Sequence, residues 1–473
     1  MKTTPEGTIE VPPQPGPAVQ ETAFAADTSA TLTVLEHEPL PDEIAPPTTT
    51  PASAARALAP DILRGLYMVL MALDHNGMAL HSWPHGTAID GEFDSTPVHK
   101  WNRPLAATIR TLTHLCAPGF TFLLGMGVAY FGRSRTNLGW SAGQMMRHFV
   151  VRAVVLTMIT EVIGLTMTGG KVWFFNIVLF ALAVDYLLAG LLWMSVARTE
   201  RGLGYLLLRV LPQKGEDERR EPLLREGGGE DGLDVAPDRA IIRAADVSWH
   251  AHNALLFGLA VVTIWWNIWL SPTGGYCGVE PRWEKPESDW IQIWFWPVGG
   301  VISDRVVSGF PPMAWLSFAI LGLLYGRIVL ARSWSTRAIN AGNAAVGAAF
   351  FSVFVLTRLL HFGNLSEGCL HMPEHLAHPE GNQYLQSAAS FFYLIKYPPD
   401  VAFWSLTMAV NFFLLALFGS IPPRVASQVF HVLLVYGTSA LFFYVAHIFV
   451  LFSTGAVMLA WRTKGPDSIW RFF

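Results

Sequence analysis

The sequence predicts an all-α integral membrane protein, a bundle of about nine or ten transmembrane helices behind a disordered N-terminal tail. Three observations carry that expectation. Hydrophobic residues fill 52% of the 473 positions and charged residues only 14%, a balance too apolar for a water-soluble chain of this length. Apolar stretches of about 20 residues, enough to carry a helix through ~30 Å of hydrocarbon at ~1.5 Å per residue, recur along the chain. The arginines between them concentrate in alternate loops, as retention of basic residues on the cytoplasmic side requires.

Residues 1–55 are rich in Pro, Thr, Ala and Glu, contain Lys2 as their one basic residue and hold no apolar run, the composition of a disordered cytoplasmic tail. The tail lacks the charged start and apolar core of a secretory signal, so the first helix is expected to target and insert the chain without cleavage. A polytopic domain then runs from 56 to 461, followed by a short C-terminal tail, 462–473. Its clear spans are 62–83, 104–131, 148–168, 172–197, 252–271, 311–331, 339–360 and 402–421. The last apolar stretch, 425–461, is too long for one helix and barely enough for two. Its break at Gly437, Thr438 and Ser439 favours a short interfacial helix followed by a ninth span, 438–461.

With the N-terminus cytoplasmic, the inner loops hold Arg133, Arg135 and Arg147, then Arg198 to Arg243, then Arg327, Arg332 and Arg337, then Arg424. Lys100, Arg103 and Arg282 are the exceptions, in outer loops. Cys277 and Cys369 fall in the two long outer loops, where an oxidising lumen permits a disulfide, and Asn364-Leu365-Ser366 is a glycosylation sequon on the same side. The plain alternative is chance placement. Cys116, inside a span, reads as packing. The segment 198–250 mixes Arg, Glu and Asp around Gly227-Gly228-Gly229, and its charges nearly cancel, which reads as a solvated cytoplasmic linker. A net charge of -4 without a basic face argues against a nucleic-acid partner. Three cysteines without a CxxC pair offer neither a metal knuckle nor a disulfide scaffold. No internal repeat supports an inverted-repeat transporter.

Ionisable groups at membrane depth are costly unless paired or hydrated, so each is a functional candidate. Asp61 and Arg64, three apart on one helical face, read equally as an end-capping pair. Asp74 and His75 lie further in. His75 stands ~20 Å from the inner edge and His114 ~15 Å from the outer edge, similar depths that let both imidazoles line one cavity if the first two spans are antiparallel neighbours. The plain reading of each is a hydrogen-bonded core histidine; the functional one is proton transfer, with Asp74 as the carboxylate that supports an imidazolium. Neighbours in sequence point to different helical faces, however, so Asp74 need not serve His75. Arg147, His148 and Arg152 open the third span at the inner face, as phosphate holders or as ordinary positive-inside anchors. Glu161 and Asp185 lie within spans three and four, as structural hydrogen-bonders or as site residues. His361, His371, His375 and His378 gather near Cys369, but Pro373 interrupts any helix there and no metal is expected.

The run Asp61-Ile62-Leu63-Arg64-Gly65-Leu66 with His75, followed by His114-Leu115-Cys116-Ala117-Pro118-Gly119-Phe120-Thr121-Phe122-Leu123-Leu124-Gly125, resembles the opening of the heparan-alpha-glucosaminide N-acetyltransferase catalytic-domain family, also called DUF1624. Phe310-Pro311-Pro312 with Gly322 to Arg327, Lys396-Tyr397-Pro398-Pro399 and Leu441-Phe442-Phe443-Tyr444-Val445-Ala446-His447 continue the likeness in order from about 57 to 461. Each segment alone is a weak signal; the ordered set is more specific. The Arg-Gly-Leu then His pattern is also similar to the broader membrane acyltransferases that modify sugars. The resemblance implies transfer of an acetyl or other acyl group from cytoplasmic acyl-CoA to a carbohydrate-type acceptor across the membrane. His75, with His114 and Asp74, would then be catalytic, and Arg64, Arg147 and Arg152 would hold the CoA phosphates. A histidine carrying the acyl group itself is the covalent variant. One departure stands out: the family's catalytic histidine precedes a Trp-Asn in the loop before span two. His99-Lys100-Trp101-Asn102 echoes that loosely, with a longer spacing to Pro118, so the acting histidine stays open among His75, His114 and His99.

The expected partners are membrane lipid, acyl-CoA and a carbohydrate-type acceptor, with a homodimer left open and the host membrane either an endomembrane or the plasma membrane. The competing readings are a proton-coupled transporter or channel using the same histidines, and a structural membrane protein whose polar residues lock helices together.

Overall fold

A computed structural model of the chain describes residues 58–80, 82–210, 239–284, 286–295, 300–303 and 305–464. The N-terminal tail, most of the expected linker and nearly all of the C-terminal tail lie outside the described residues. The helices are α1 (Leu58–Leu80), α2 (Pro104–Thr113), α3 (Cys116–Asn137), α4 (Ala142–Met167), α5 (Val178–Val210), α6 (Arg239–Leu270), the short α7 (Asp289–Phe295), α8 (Pro312–Ala331) and α9 (Thr336–Leu360). There follow the short α10 (Pro373–Ala377) and α11 (Ala388–Phe391), then α12 (Val401–Gly419), α13 (Pro423–Val429), α14 (His431–Thr438) and α15 (Ala440–Lys464). Among the described residues eight helical stretches are long and apolar enough to cross a membrane, with α2 and α3 together forming one of them. The 23-residue α1 is long enough, at ~35 Å, but carries Asp61, Arg64 and Asp74. The chain is a multi-pass membrane protein.

Local chemistry sets the boundaries. Pro118 has no N–H to give the His114 carbonyl, and its ring crowds that carbonyl, so the second span breaks into α2 and α3 at His114-Leu115. Ser141 and Gln144 form a reciprocal capping box, which starts α4 six residues ahead of the expected 148. The segment read as a linker is partly helix: α5 continues to Val210 and α6 begins at Arg239. The last apolar stretch does break near residue 438, into α14 and α15, but α14 packs on α1 instead of lying alone at the interface.

Small residues determine which helices sit at the centre. A side chain on Gly125 would land on the Ala319 carbonyl, and one on Gly322 on the Phe122 carbonyl, so α3 and α8 touch backbone to backbone. The α8 and α12 windows are 61% and 72% buried, whereas those of α9 and α15 are 22% buried; α8 and α12 therefore form the middle and α9 and α15 the lipid-facing rim.

The described residues of the long loops 82–103, 168–177, 271–311 and 361–400 gather at one end of the bundle, called the loop face below. Three short strands join there: β1 (Phe174–Asn176), β2 (Gly300–Ser303) and β3 (Val306–Ser308), in the order β1-β3-β2, with β1 parallel and β2 antiparallel to β3. Cys277 and Cys369 are disulfide-bonded. Ala88, Val98, Leu365, Leu370, Met372, Tyr384, Tyr393 and Ile395 form a second core beneath the loops. The sequon reading does not survive. Asn364 is 2% exposed; its Nδ2 donates to Thr357 O at 3.0 Å and Glu367 Oε1 at 2.7 Å, and its Oδ1 accepts from Arg358 at 2.9 Å. The atom a glycan would need is already bonded inside the cap.

Candidate functional site

α1 packs on α2, α3, α12, α14 and α15, so its loop-face end meets two different neighbourhoods. Consecutive helical residues point ~100° apart. Asp74 therefore faces α2 while His75 faces α15.

The α2 side is a closed ion network. Arg110, 2% exposed, donates from Nε to Glu92 Oε2 at 2.9 Å and from Nη1 to Asp74 Oδ2 at 3.1 Å. Its Nη2 lies 2.8 Å from the same Glu92 oxygen. Glu92 also accepts from the Thr87 amide at 2.8 Å and hydroxyl at 3.1 Å. His114 Nε2 lies 3.0 Å from Glu92 Oε2, at ion-pair distance though off the hydrogen-bond direction. Burial works to raise the Glu92 carboxyl, but Arg110 and then His114 overcome it and hold it well below the ordinary range. His85 Nε2 sits 2.7 Å from Arg110 Nη1; a guanidinium can only donate, so that nitrogen carries a lone pair. Burial and then the Arg110 charge push His85 down to about 3, which keeps the ring neutral.

The α15 side has different chemistry. His447 Nδ1 lies 2.9 Å from the Phe443 carbonyl, which can only accept, so Nδ1 carries the proton. In the neutral ring Nε2 is then an acceptor, and His75 Nδ1, 2.8 Å away, donates to it. This leaves the lone pair of His75 on Nε2, which has no hydrogen-bond partner among the described residues. The two rings are near-parallel at 10°, and Phe443 stacks on the far ring at 5.5 Å. The pair stands on rigid helices with its outer nitrogen unused.

Lys396 completes the cluster. The residue is 7% exposed, its ammonium stands 5.5 Å from the Tyr397 ring centre, and among the described residues no carboxylate or hydrogen bond holds it. Both nearby carboxylates already serve Arg110. Tyr397 also lies 6.0 Å from the Arg110 guanidinium; burial works to raise its phenol, but Lys396 and Arg110 bring it below the ordinary value.

Compared with models of known protein families and with curated proteins, the chain matches none.

Of the residues expected to act, the network joins two, Asp74 and His114, without pairing them as anticipated. Asp74 serves Arg110, and lies 3.5 Å from His85. His114, 1% exposed, is held by Glu92 and packs edge-on against Phe403 at 5.4 Å. Among the described residues no hydrogen bond or ring contact joins His75 to His114. Similar depth did not bring them together, because depth fixes height and not the direction a helix face points. His99 stands apart: its side chain is 65% exposed, near Asp90 at 3.9 Å and stacked on His371 at 5.6 Å. At the opposite end of the bundle Arg64 bonds Asp61 at 3.1 Å and the Gly437 carbonyl at 3.4 Å. Arg147 and Arg152 are exposed on α4, which packs on α5 and β1, and Arg152 lies over the Tyr186 ring at 4.8 Å. Arg64 therefore belongs to the α1 neighbourhood and the other two to the α4 neighbourhood. Asp185 is 0% exposed with no hydrogen-bond partner for either carboxylate oxygen among the described residues, and Glu161 accepts from the Phe175 amide at 3.1 Å. Among the described residues no group of three or more His, Cys, Asp and Glu is placed to hold a metal ion.

Sequence reasoning missed Arg110, Glu92, His85, Lys396 and His447 as site residues. Arg110 carried a visible signal, a full charge six residues inside a predicted span. Glu92, His85 and Lys396 lie in loops, where charge is ordinary, and only the folded cap makes them exceptional.

Proposed function

We propose that the chain is a membrane acyltransferase that moves an acetyl or related acyl group from acyl-CoA to a hydroxyl or amine of a sugar-type acceptor at the loop face, with His75 as general base. One observation carries the reading: the hydrogen bonds of the His75–His447 pair leave a lone pair on His75 Nε2 in a partly exposed position. In the forward step Nε2 takes the acceptor's proton as its oxygen or nitrogen attacks the thioester carbon. The oxyanion collapses, the carbon–sulfur bond breaks, and the imidazolium returns the proton to the CoA thiolate. His447 shares the added charge through its ring nitrogen. Lys396, the unpaired ammonium of the cluster, supplies positive charge where the carbonyl oxygen becomes negative. Arg64, eleven positions before His75 on the same helix and so ~16 Å nearer the opposite face, and, in the separate α4 neighbourhood, Arg147 and Arg152 are the residues for CoA phosphates, with that face cytoplasmic. Membership of the heparan-alpha-glucosaminide N-acetyltransferase catalytic-domain family is part of this proposal and rests on the ordered motifs.

A second reading, proton or solute passage, draws on the run of groups from His447 through His75, Asp74, Arg110 and Glu92 to His114. One experiment separates them. Purified protein in lipid discs is given acetyl-CoA labelled on the acetyl group together with a mixed amino-sugar and neutral-sugar acceptor pool. The acyltransferase reading expects labelled acceptor and free CoA, and at least a ~100-fold loss in His75→Ala. Absence of turnover and of acyl-CoA binding, with solute or proton flux in sealed vesicles, would establish the second reading instead.

A further inference from the structure

Beside the ion network, on the loop face, lies a cavity of about 240 Å³ whose lining includes Phe93, Asp94, Asn267, Thr273, Phe295 and Tyr397. It shares Tyr397 with the cluster but contains neither His75 nor Arg110. Its polar groups have a consistent character. Asn267 is 1% exposed and spends both Nδ2 protons on the carbonyls of Ala314, at 3.1 Å, and Pro399, at 2.9 Å. That leaves Oδ1 without a hydrogen-bond partner among the described residues and sealed from the cavity. Asp94 accepts from the Ser95 hydroxyl at 2.7 Å and interacts with the Ser271 hydroxyl, yet no cation pairs with it among the described residues. Burial accordingly raises its carboxyl above the ordinary value. The remaining wall is aromatic: Phe93 and Tyr397 stack at 5.3 Å, and Phe295 adds a third ring.

A carboxylate without a counter-ion among the described residues and aromatic rings on the same concave surface are complementary to an N–H-bearing cation. Neutral hydroxyl compounds would leave the Asp94 charge unmatched, and anions would be repelled by it. Among the described residues, the cations nearby do not fill the role. Lys396 and Arg110 lie against Tyr397, and the Arg282 guanidinium is close to Gly274, where an added Cβ would approach it to 3.3 Å. We infer that this cavity is a binding site for a small primary ammonium, with Asp94 accepting its protons and Phe93 and Tyr397 bordering its charge. The inference stands whether or not the neighbouring cluster transfers acyl groups.

The test is calorimetric titration of the full chain in lipid discs with ethanolamine at neutral pH, where it is protonated. Choline, glycerol and sodium chloride at matched concentration are run in parallel. The expected result is saturable ethanolamine binding, with choline weaker by about tenfold because a quaternary nitrogen has no proton to give, and no binding of glycerol. Asp94→Asn is expected to weaken ethanolamine about tenfold, and Phe93→Ala about fivefold. Phe93 is 36% exposed, so its variant remains informative if Asp94→Asn does not fold. Equal binding of choline and ethanolamine, heats reproduced by sodium chloride, or affinity unchanged in Phe93→Ala together with any folded Asp94→Asn would each overturn the inference.

Discussion

The two ends of the polar network are built from the same residue types and put them to opposite uses. At the α2 end, Arg110, Glu92 and His114 are 2%, 1% and 1% exposed, and Glu92 is paired with both of the others. At the α15 end His75 keeps a ring nitrogen with no hydrogen-bond partner among the described residues, while Lys396 and His85, its side chain 32% exposed, border the α2 end beside Tyr397 and Arg110. Satisfied buried charges fix geometry, whereas unsatisfied groups beside open space are available to a ligand. The closed end holds α1, α2 and the 82–103 loop in register, and the open end carries the candidate chemistry.

That contrast can be broken at either end. The largest effect is expected from Arg110→Leu, which strands two buried carboxylates: removing one partner of a buried ion pair costs about 3–5 kcal/mol. Denaturant titration in detergent should show that loss, and a variant as stable as the parent would mean the closed end is no lock. Next comes Cys277→Ser. The disulfide closes a loop of 92 positions, and its removal should lower stability by about 2–4 kcal/mol; the same transition in reduced and oxidised protein would deny the cap that role.

At the open end, His447→Phe should retain the fold, since Phe443 and Tyr444 already pack there as aromatics. Acyl transfer should drop by about 10- to 100-fold as His75 loses the acceptor that fixes its tautomer. A change confined to KM would point to substrate contact instead. The smallest effect concerns acid. His85 is neutral in the folded state because its value lies near 3, while in the unfolded chain it protonates below the usual ~6.5. The unfolded state then binds the extra proton, so the His85 contribution is present above ~6.5 and is lost as pH falls toward 3. Melting curves from pH 7 to 5 should therefore decline more steeply for the parent than for His85→Gln; parallel slopes would show that His85 titrates normally.

The bundle was legible because its signal is local. A stretch such as 402–421 declares itself a span by hydrophobicity alone, and Val401–Gly419 forms as read. The alternating arginines likewise placed Cys277 and Cys369 at one end, where they bond. The candidate site was legible in part. His75 and Asp74 were visible as costly groups inside a helix, but their partners were not, since a loop glutamate such as Glu92 becomes remarkable only once the cap seals it from water. The sequon misled for the same reason: a three-residue pattern cannot report that Asn364 is already bonded to Arg358 and Glu367.

Composition and spacing thus determined by themselves that this chain crosses a membrane many times and buries ionisable groups on its first two spans, because each residue's cost in hydrocarbon depends on its own chemistry and its height along the helix. Only the tertiary structure decided that His75 turns to His447 and His114 to Glu92. The rotation of a helix about its axis and the choice of its neighbours are settled by contacts between segments hundreds of residues apart, such as α1 with α15, which no local pattern encodes.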